Sequence, residues 1–368
     1  MIDTRGVVTP SRLGTVGTVT LREFSVPTID LGPWWTGERS DRLVVARAFD
    51  EAARTVGFVQ IVGHQVSDDM IGAMVRESQA FFDRPLADKL AARPSDLTVN
   101  RGYAASGTEA LSYSIGEAAP PDLFEAFNIG EDVVDDTDPF FAAERHRMFA
   151  PNIWPDQPTG FRAALVDYFA EARRVALTLT DVFALALGLP DQWFRPFVDR
   201  STTTMRTINY QRRSDDADPQ PGQQRMGAHT VYGVVTVLWA DTTPGLQVLG
   251  DTGEWHDVIP APGALLVNLG DLTAEWTNDR WKSTLHRVVP PPTGSGPVRR
   301  RSTAFFFDAN WNATIECVPT CTDSTDPPKY PPVIAGEHLM AKLMGPRTLV
   351  ASKAVDTAAA RVGRLSTD

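Results

Sequence analysis

A mainly β protein with helices, built on a jelly-roll core, is the fold class this sequence predicts, and three observations predict it. Past residue 202, short β-rich runs alternate with Gly, Pro, Asn and Asp at close intervals. That is the texture of an antiparallel sandwich or barrel and not of a parallel βαβ sheet. One long amphipathic helix, 160–187, precedes these runs. Ahead of it, two short strands are each followed by a helix, which makes an N-terminal α/β region packed on the core.

Taken in order, VPTIDL at 26–31 reads as a strand. Residues 41–56 read as a helix, because Leu43, Ala46, Phe49, Ala53 and Val56 recur at helical spacing, and Gly57 stops it. FVQIV at 58–62 is a second strand, and Ser67 is an N-cap for a helix running to Phe82. Residues 93–157 are rich in Pro, Gly and acidic groups and read as long surface loops, candidates for enclosing a substrate. In 160–187 the stripe is Phe161, Leu165, Tyr168, Phe169, Ala172, Val175, Ala176 and Leu179, ended by Gly188-Leu189-Pro190. The β-rich runs that follow are 203–210, 233–239, 246–249, 264–268, 285–289 and 303–308. The expected division is a helix-rich region 1–200, a jelly-roll core 201–312, and a tail with a helix 313–368.

Composition narrows the function. At 368 residues, 42% hydrophobic and 22% charged, the chain can bury a large core. Lys plus Arg is 35 against 46 for Asp plus Glu, a net charge of −11. That argues against binding nucleic acid or an anionic membrane surface. Residues 1–19 show no apolar signal region and no apolar run is as long as a membrane span, so the cytoplasm is the expected compartment. Cys317 and Cys321 are too few for a disulfide framework or a zinc site and read as free thiols.

The chemistry lies in three stretches. His229-Thr230-Val231-Tyr232-Gly233 reads as entering a strand, where residues two apart share a face. A His-x-carboxylate pair in such a strand offers an imidazole nitrogen and a carboxylate oxygen to one ion. His286 stands 57 residues on (286 − 229), within KSTLHRV. Arg300-Arg301-Ser302 begins 14 residues further (300 − 286) and leads into AFFF. Arginine suits two-point binding of a carboxylate, serine adds a hydroxyl donor, and alternation points Arg299 and Arg301 the other way. Two His and one carboxylate with open positions form the facial triad of non-haem Fe(II) oxygenases.

On these motifs the sequence resembles the isopenicillin-N-synthase-like branch of the Fe(II)/2-oxoglutarate-dependent oxygenases. The resemblance covers nearly the whole chain: 26–31, 57–64, 100–103, DLFEAFNIG at 122–130, and 206–310 with PGALLVNLGDLTAEWTNDRWKSTLHRV. It implies a distorted double-stranded β-helix. It implies Fe(II) held by His229 and His286, and 2-oxoglutarate as cosubstrate with its distal carboxylate clamped by Arg300 and Ser302, joined by the Tyr210 hydroxyl. The implied reaction uses O2 and turns 2-oxoglutarate into succinate and CO2 while hydroxylating, desaturating or cyclising a small organic molecule.

One position departs from the resemblance. The family carries Asp where this chain has Val231, and valine has no lone pair to give a metal. Four readings stand: an inactivating change in an ordinary oxygenase, a naturally impaired homologue that keeps a binding role, a shell completed by another group, or a halogenase-like site. For the third, water or a neighbouring carboxylate would serve, with Asp241 and Asp271 nearest in sequence though both read as turn or loop residues. In the fourth, a halide takes the vacated position, where that branch carries Gly or Ala and the valine methyls crowd the space. His64, His146, His256 and His338 read as structural or exposed, and Trp276, Trp281 and Trp311 as core or pocket wall.

Overall fold

A computed structural model describes residues 24–348 except 97–98, 117–118 and 147, so the expectation for 1–19 lies outside the described residues. The chain opens with β1 (Thr28–Asp30), α1 (Gly32–Thr36), α2 (Arg39–Thr55), β2 (Phe58–Val62), α3 (Asp68–Phe82) and α4 (Leu86–Leu90). The second helix starts two residues earlier than its apolar spacing suggests. Glu38 and Asp41 form a reciprocal capping box, with the Glu38 amide donating to Asp41 Oδ2 at 3.0 Å. Ser67 caps α3 as expected, its hydroxyl accepting from the Met70 amide at 3.2 Å.

Residues 93–157 are more than surface loops. They contain β3 (Gly102–Ala104), a short 3-10 turn at Leu111–Ile115, β4 (Glu125–Ile129) and α5 (Pro139–Ala143). The two strands are short, and β4 finds its hydrogen-bond partner some eighty residues away on another strand, so local periodicity gives little sign of them. Next comes α6 (Phe161–Ala186), whose anticipated stripe is buried throughout, and then α7 (Arg195–Val198). At 26 residues α6 is about 39 Å long. It packs on α2 and α3 and on one face of the sheet, which explains its apolar breadth.

The remainder runs β5 (Thr204–Arg212), β6 (Met226–His229), β7 (Val235–Ala240), β8 (Leu246–Leu249), β9 (Trp255–Asp257), β10 (Leu265–Leu269), α8 (Asp271–Trp276), β11 (His286–Val288), β12 (Val298–Phe307), β13 (Thr314–Ile315), β14 (Val333–Ile334) and α9 (Ala335–Thr348). Among the described residues the large sheet has the order β1-β2-β10-β7-β12-β5-β4-β3, and a smaller sheet has β6-β11-β8-β9. Every pairing in these two sheets is antiparallel except β1 with β2. The two sheets face one another as a distorted double-stranded β-helix. The large sheet draws strands from both sides of residue 200.

Two differences from the sequence reading bear on the site. Strand β12 begins at Val298, five residues before the run read at 303–308, so Arg299-Arg300-Arg301 lies within it. His229 closes β6, and Val231 lies in the loop beyond it, so the two-residue alternation that put them on one face does not operate. Trp276 and Trp281 are core: Trp276 stacks edge-on against Phe194 and Phe197, and Trp281 donates its indole N–H to Asp50 at 2.8 Å. No helix among the described residues is long and apolar enough to cross a membrane. Cys317 and Cys321 are free thiols.

Candidate active site

Between the two sheets lies a cavity of about 720 Å³, within the usual range for a small-molecule site. Its wall brings together His229, Val231, His286, Tyr210, Arg300 and Ser302, but neither of the candidate carboxylates Asp241 and Asp271.

His229 and His286 are directly opposite each other in the β6–β11 ladder, and their rings are 4.3 Å apart, centroid to centroid. Each ring is fixed by its own chain. His229 Nδ1 donates to the Gly227 carbonyl at 2.7 Å, and His286 Nδ1 to the Thr284 carbonyl at 3.1 Å. A carbonyl can only accept, so Nδ1 carries the proton in both rings and each Nε2 keeps its lone pair. Burial lowers both pKa values, to about 4 for His229 and about 3 for His286, so both are neutral ligands at physiological pH. For His229, the Gly227 hydrogen bond opposes burial; His286 is further lowered by His229 itself. Asp122 holds this arrangement from behind: its Oδ1 accepts from the Gly227 amide and its Oδ2 from Leu111, both at 2.9 Å.

Val231 is buried on the cavity wall beside them. Its carbonyl accepts the Asp271 amide at 2.7 Å, so the loop keeps a fixed course whatever the side chain. The two carboxylates nearest in sequence are committed elsewhere. Asp241 pairs with Arg301, accepting from its amide at 2.9 Å. Asp271 heads α8 instead of lying in a loop, is fully buried, and binds Lys342 Nζ at 2.6 Å and Thr230 Oγ1 at 3.1 Å. Among the described residues no third His, Cys, Asp or Glu gathers with the two imidazoles. A metal would therefore find two good donors here and an aliphatic side chain at the third place. The donor set fits an iron centre in part.

The other end of the cavity fits its expected occupant fully. Arg300 is 2% exposed, and its Nε and Nη1 are buried with no hydrogen-bond partner among the described residues. Leaving guanidinium donors unpaired in the interior costs free energy unless a ligand takes them. Arg300 pairs across the sheet with Tyr210, whose ring lies 5.1 Å beneath the guanidinium, and the Tyr210 hydroxyl reaches Met226 Sδ at 3.7 Å. Ser302 follows on the same face, two residues along. Arg299 and Arg301 point away: Arg299 bonds Asp83 and Gln211, and Arg301 bonds Asp241 and Gln79. This end offers unpaired guanidinium donors to an anion.

These features agree with what the chain resembles among known proteins. Residues 203–309 match the 2OG-Fe(II) oxygenase superfamily, and residues 26–157 match the non-haem dioxygenase N-terminal region described for morphine synthesis. The chain is 33% identical over 311 residues to a 2-oxoglutarate-Fe(II) type oxidoreductase of Emericella nidulans, covering 83% of this chain and 86% of that one. The chain belongs to the 2OG-Fe(II) oxygenase superfamily. A validamycin A dioxygenase of Streptomyces hygroscopicus is 31% identical over 86% of both chains. A full-length Neurospora crassa protein, solved in complex with alpha-KG, superposes with a TM-score of 0.75 at 31% identity, covering 86% of this chain and 95% of that one. Members of this superfamily are enzymes that use Fe(II) and 2-oxoglutarate.

The sequence missed several wall residues. Asn100, Arg101 and Tyr103 line the cavity from the stretch read as loops. Arg206 does so with its bidentate partner Glu109, held at 2.9 and 2.8 Å. Leu339, Met340 and Leu343 reach it from α9, and Lys342 on that helix pins Asp271. Asp308 also lies on the wall, and continuing the even-numbered alternation of β12 past Ser302 would have found it. Of the other histidines, His64 is buried between the Gly263 carbonyl and the Val66 amide, and His256 stacks on Phe24, both structural.

Proposed function

We propose that this chain is a 2-oxoglutarate-dependent oxygenase of a small organic molecule, with a cosubstrate clamp that is whole and a metal centre weakened by Val231. The observation that carries the reading is the pair of orphaned Arg300 donors. They need a planar anion, and the distal carboxylate of 2-oxoglutarate is one. In this reading Arg300 takes that carboxylate in two-point fashion, Ser302 and Tyr210 border it, and the fixed pose directs the other end of the cosubstrate toward the two imidazoles. His229 and His286 would hold Fe(II), which supplies the oxidising chemistry with O2 when bound. The carbonyl-fixed Nδ1 protons keep both rings turned toward one point, which is the positioning the protein itself contributes.

Valine offers the metal no donor and no compensating charge, so Fe(II) affinity is expected to fall well below that of a three-ligand site. The commitments of Asp241 and Asp271 disfavour a protein carboxylate as the replacement, and the valine methyls disfavour a halide. A silent binding protein remains the second reading, because the clamp does not depend on Val231. We further propose action in the cytoplasm, where free thiols are the rule, without nucleic acid as partner, given the acidic charge balance. The division at residues 200 and 312 is proposed as a division of labour within one shared sheet. Succinate formation from 2-oxoglutarate with added Fe(II), in the native chain and in Val231→Asp, tests the function. Turnover that appears or rises in Val231→Asp supports the oxygenase reading, and none in either chain favours the silent binder.

A further inference from the structure

A carboxylate that the proposed reaction does not use sits at the opposite end of the cavity from Arg300. Residues 300, 302, 304, 306 and 308 all line the cavity, the even face of β12 carried one residue past the strand. Eight residues of extended chain separate Arg300 from Asp308, roughly 27 Å. Asp308 is 8% exposed, and its side chain has no hydrogen-bond or ionic partner among the described residues. Its main chain is anchored, the carbonyl accepting from Ser201 Oγ at 2.6 Å. Room for the carboxylate comes from Gly233: a Cβ there would lie 1.4 Å from Asp308 Oδ1.

Polar groups stand one row away along the sheet. In the adjoining row of the sheet, Phe306 pairs with Thr204 and Thr236, and Thr236 pairs with Asn268. Thr236 Oγ1 and Asn268 Nδ2 are buried without hydrogen-bond partners among the described residues. Among the described residues Asp308 does not gather with the two imidazoles into a group that could hold a metal, so it does not stand in for a third ligand. Burial alone acts on Asp308 and pushes its pKa up to about 7. A lone buried carboxylate is costly, and a neutral N–H or O–H from a ligand would satisfy its lone pairs while leaving the charge buried. A cation satisfies both needs.

We propose that Asp308 sets substrate specificity by binding a protonated nitrogen of the substrate, an amine, amidine or guanidine, at the end of the cavity opposite the cosubstrate clamp. This rests on the oxygenase reading, in which the cavity receives the substrate. The substrate's reacting C–H bond would then lie between the anchored nitrogen and the two imidazoles. Thr236 and Asn268 would accompany the nitrogen with hydrogen bonds to a neighbouring polar atom.

The test titrates the full chain with pentylguanidinium and pentylammonium, with 1-pentanol as a neutral probe of similar reach, and with 2-oxoglutarate in parallel. The native chain is expected to bind the two cations at least tenfold more tightly than pentanol. Asp308→Asn is expected to bring the cations to the level of pentanol and leave pentanol and 2-oxoglutarate unchanged. A native chain that does not discriminate, or an Asp308→Asn chain that still does, overturns the proposal. Should that variant not fold, the infrared band of a protonated carboxyl in the native chain near pH 6 decides. Its loss on adding pentylguanidinium but not pentanol supports the proposal, and an unchanged band rejects it. If 2-oxoglutarate binds but the cations are not preferred, the inference fails alone. If 2-oxoglutarate does not bind, the oxygenase reading fails and takes the inference with it.

Discussion

The proposed clamp end of the cavity and its proposed metal end are built by the same two facing sheets, yet the residues at the two ends are held in different ways. At the clamp, Arg300 stands in a strand paired on both sides, between β5 and β7, with its side chain fixed over Tyr210. At the metal end, the two imidazoles stand in a ladder while Val231 stands in a loop past its end. The loop is held through its backbone, by the Asp271 amide on the Val231 carbonyl. A ligand on such a loop can be exchanged without disturbing the fold, whereas the clamp arginine is part of the sheet. Under the proposed reading, the difference accounts for an oxygenase architecture kept whole around an altered metal position.

The comparison can be broken most forcefully at the clamp. Arg300→Leu is expected to cost roughly 3–5 kcal/mol of 2-oxoglutarate binding, more than a hundredfold in Kd, as for truncating one side of a buried charge pair. Calorimetry or ligand-observed NMR checks it, and unchanged affinity would remove the clamp from the account. Trp276→Ala, at the C-terminal end of α8, empties a site walled by Phe194 and Phe197. A loss of about 3–5 kcal/mol in urea unfolding is expected. If it also abolished 2-oxoglutarate binding while the protein stayed folded, the independence of clamp and core would be wrong.

A finer cut is made behind the imidazoles. Asp122→Ala frees the Gly227 and Leu111 amides and loosens the carbonyl that orients His229. Metal affinity should drop about 10- to 100-fold with 2-oxoglutarate binding at the clamp unchanged, as for other groups that orient a ligand. A further prediction concerns pH. Asp308 has a folded pKa of about 7 against the ordinary value of 3.8, so between these values the folded state keeps a proton that the unfolded state has released. Stability therefore falls as pH rises through that window. Asp308→Asn removes this penalty, so its melting temperature should exceed the native value by a few degrees above about pH 7 and converge with it below about pH 4. A constant difference across pH would show that the Asp308 carboxyl does not titrate as its burial requires.

Much of this molecule could be read from local pattern. The stripe of α6 and the Ser67 cap are local signals and were legible, as was the pairing of Arg300 with Ser302 on one face. The two histidines were legible through motif resemblance. What escaped were features set by distant partners. Strands β3 and β4 are three and five residues long and exist because β5 completes their ladder. His229 ends a strand instead of starting one, because β6 is defined by its pairing with β11. Asp308 reads in sequence only as the last residue of the β-rich run 303–308, and the cavity wall and burial show what that position does. The reach of α9 to the cavity wall is likewise tertiary.

The most direct test of the central claim is Fe(II) titration by calorimetry of the native chain beside Val231→Asp, each with 2-oxoglutarate binding measured separately without metal. Val231→Asp is expected to bind Fe(II) at least about 100-fold more tightly, since a direct ligand should exceed the 10- to 100-fold effect of an orienting group. Metal-free 2-oxoglutarate binding should be the same in both. Equal Fe(II) affinity in the two chains would contradict the claim, because Val231 would then not stand where the missing donor belongs.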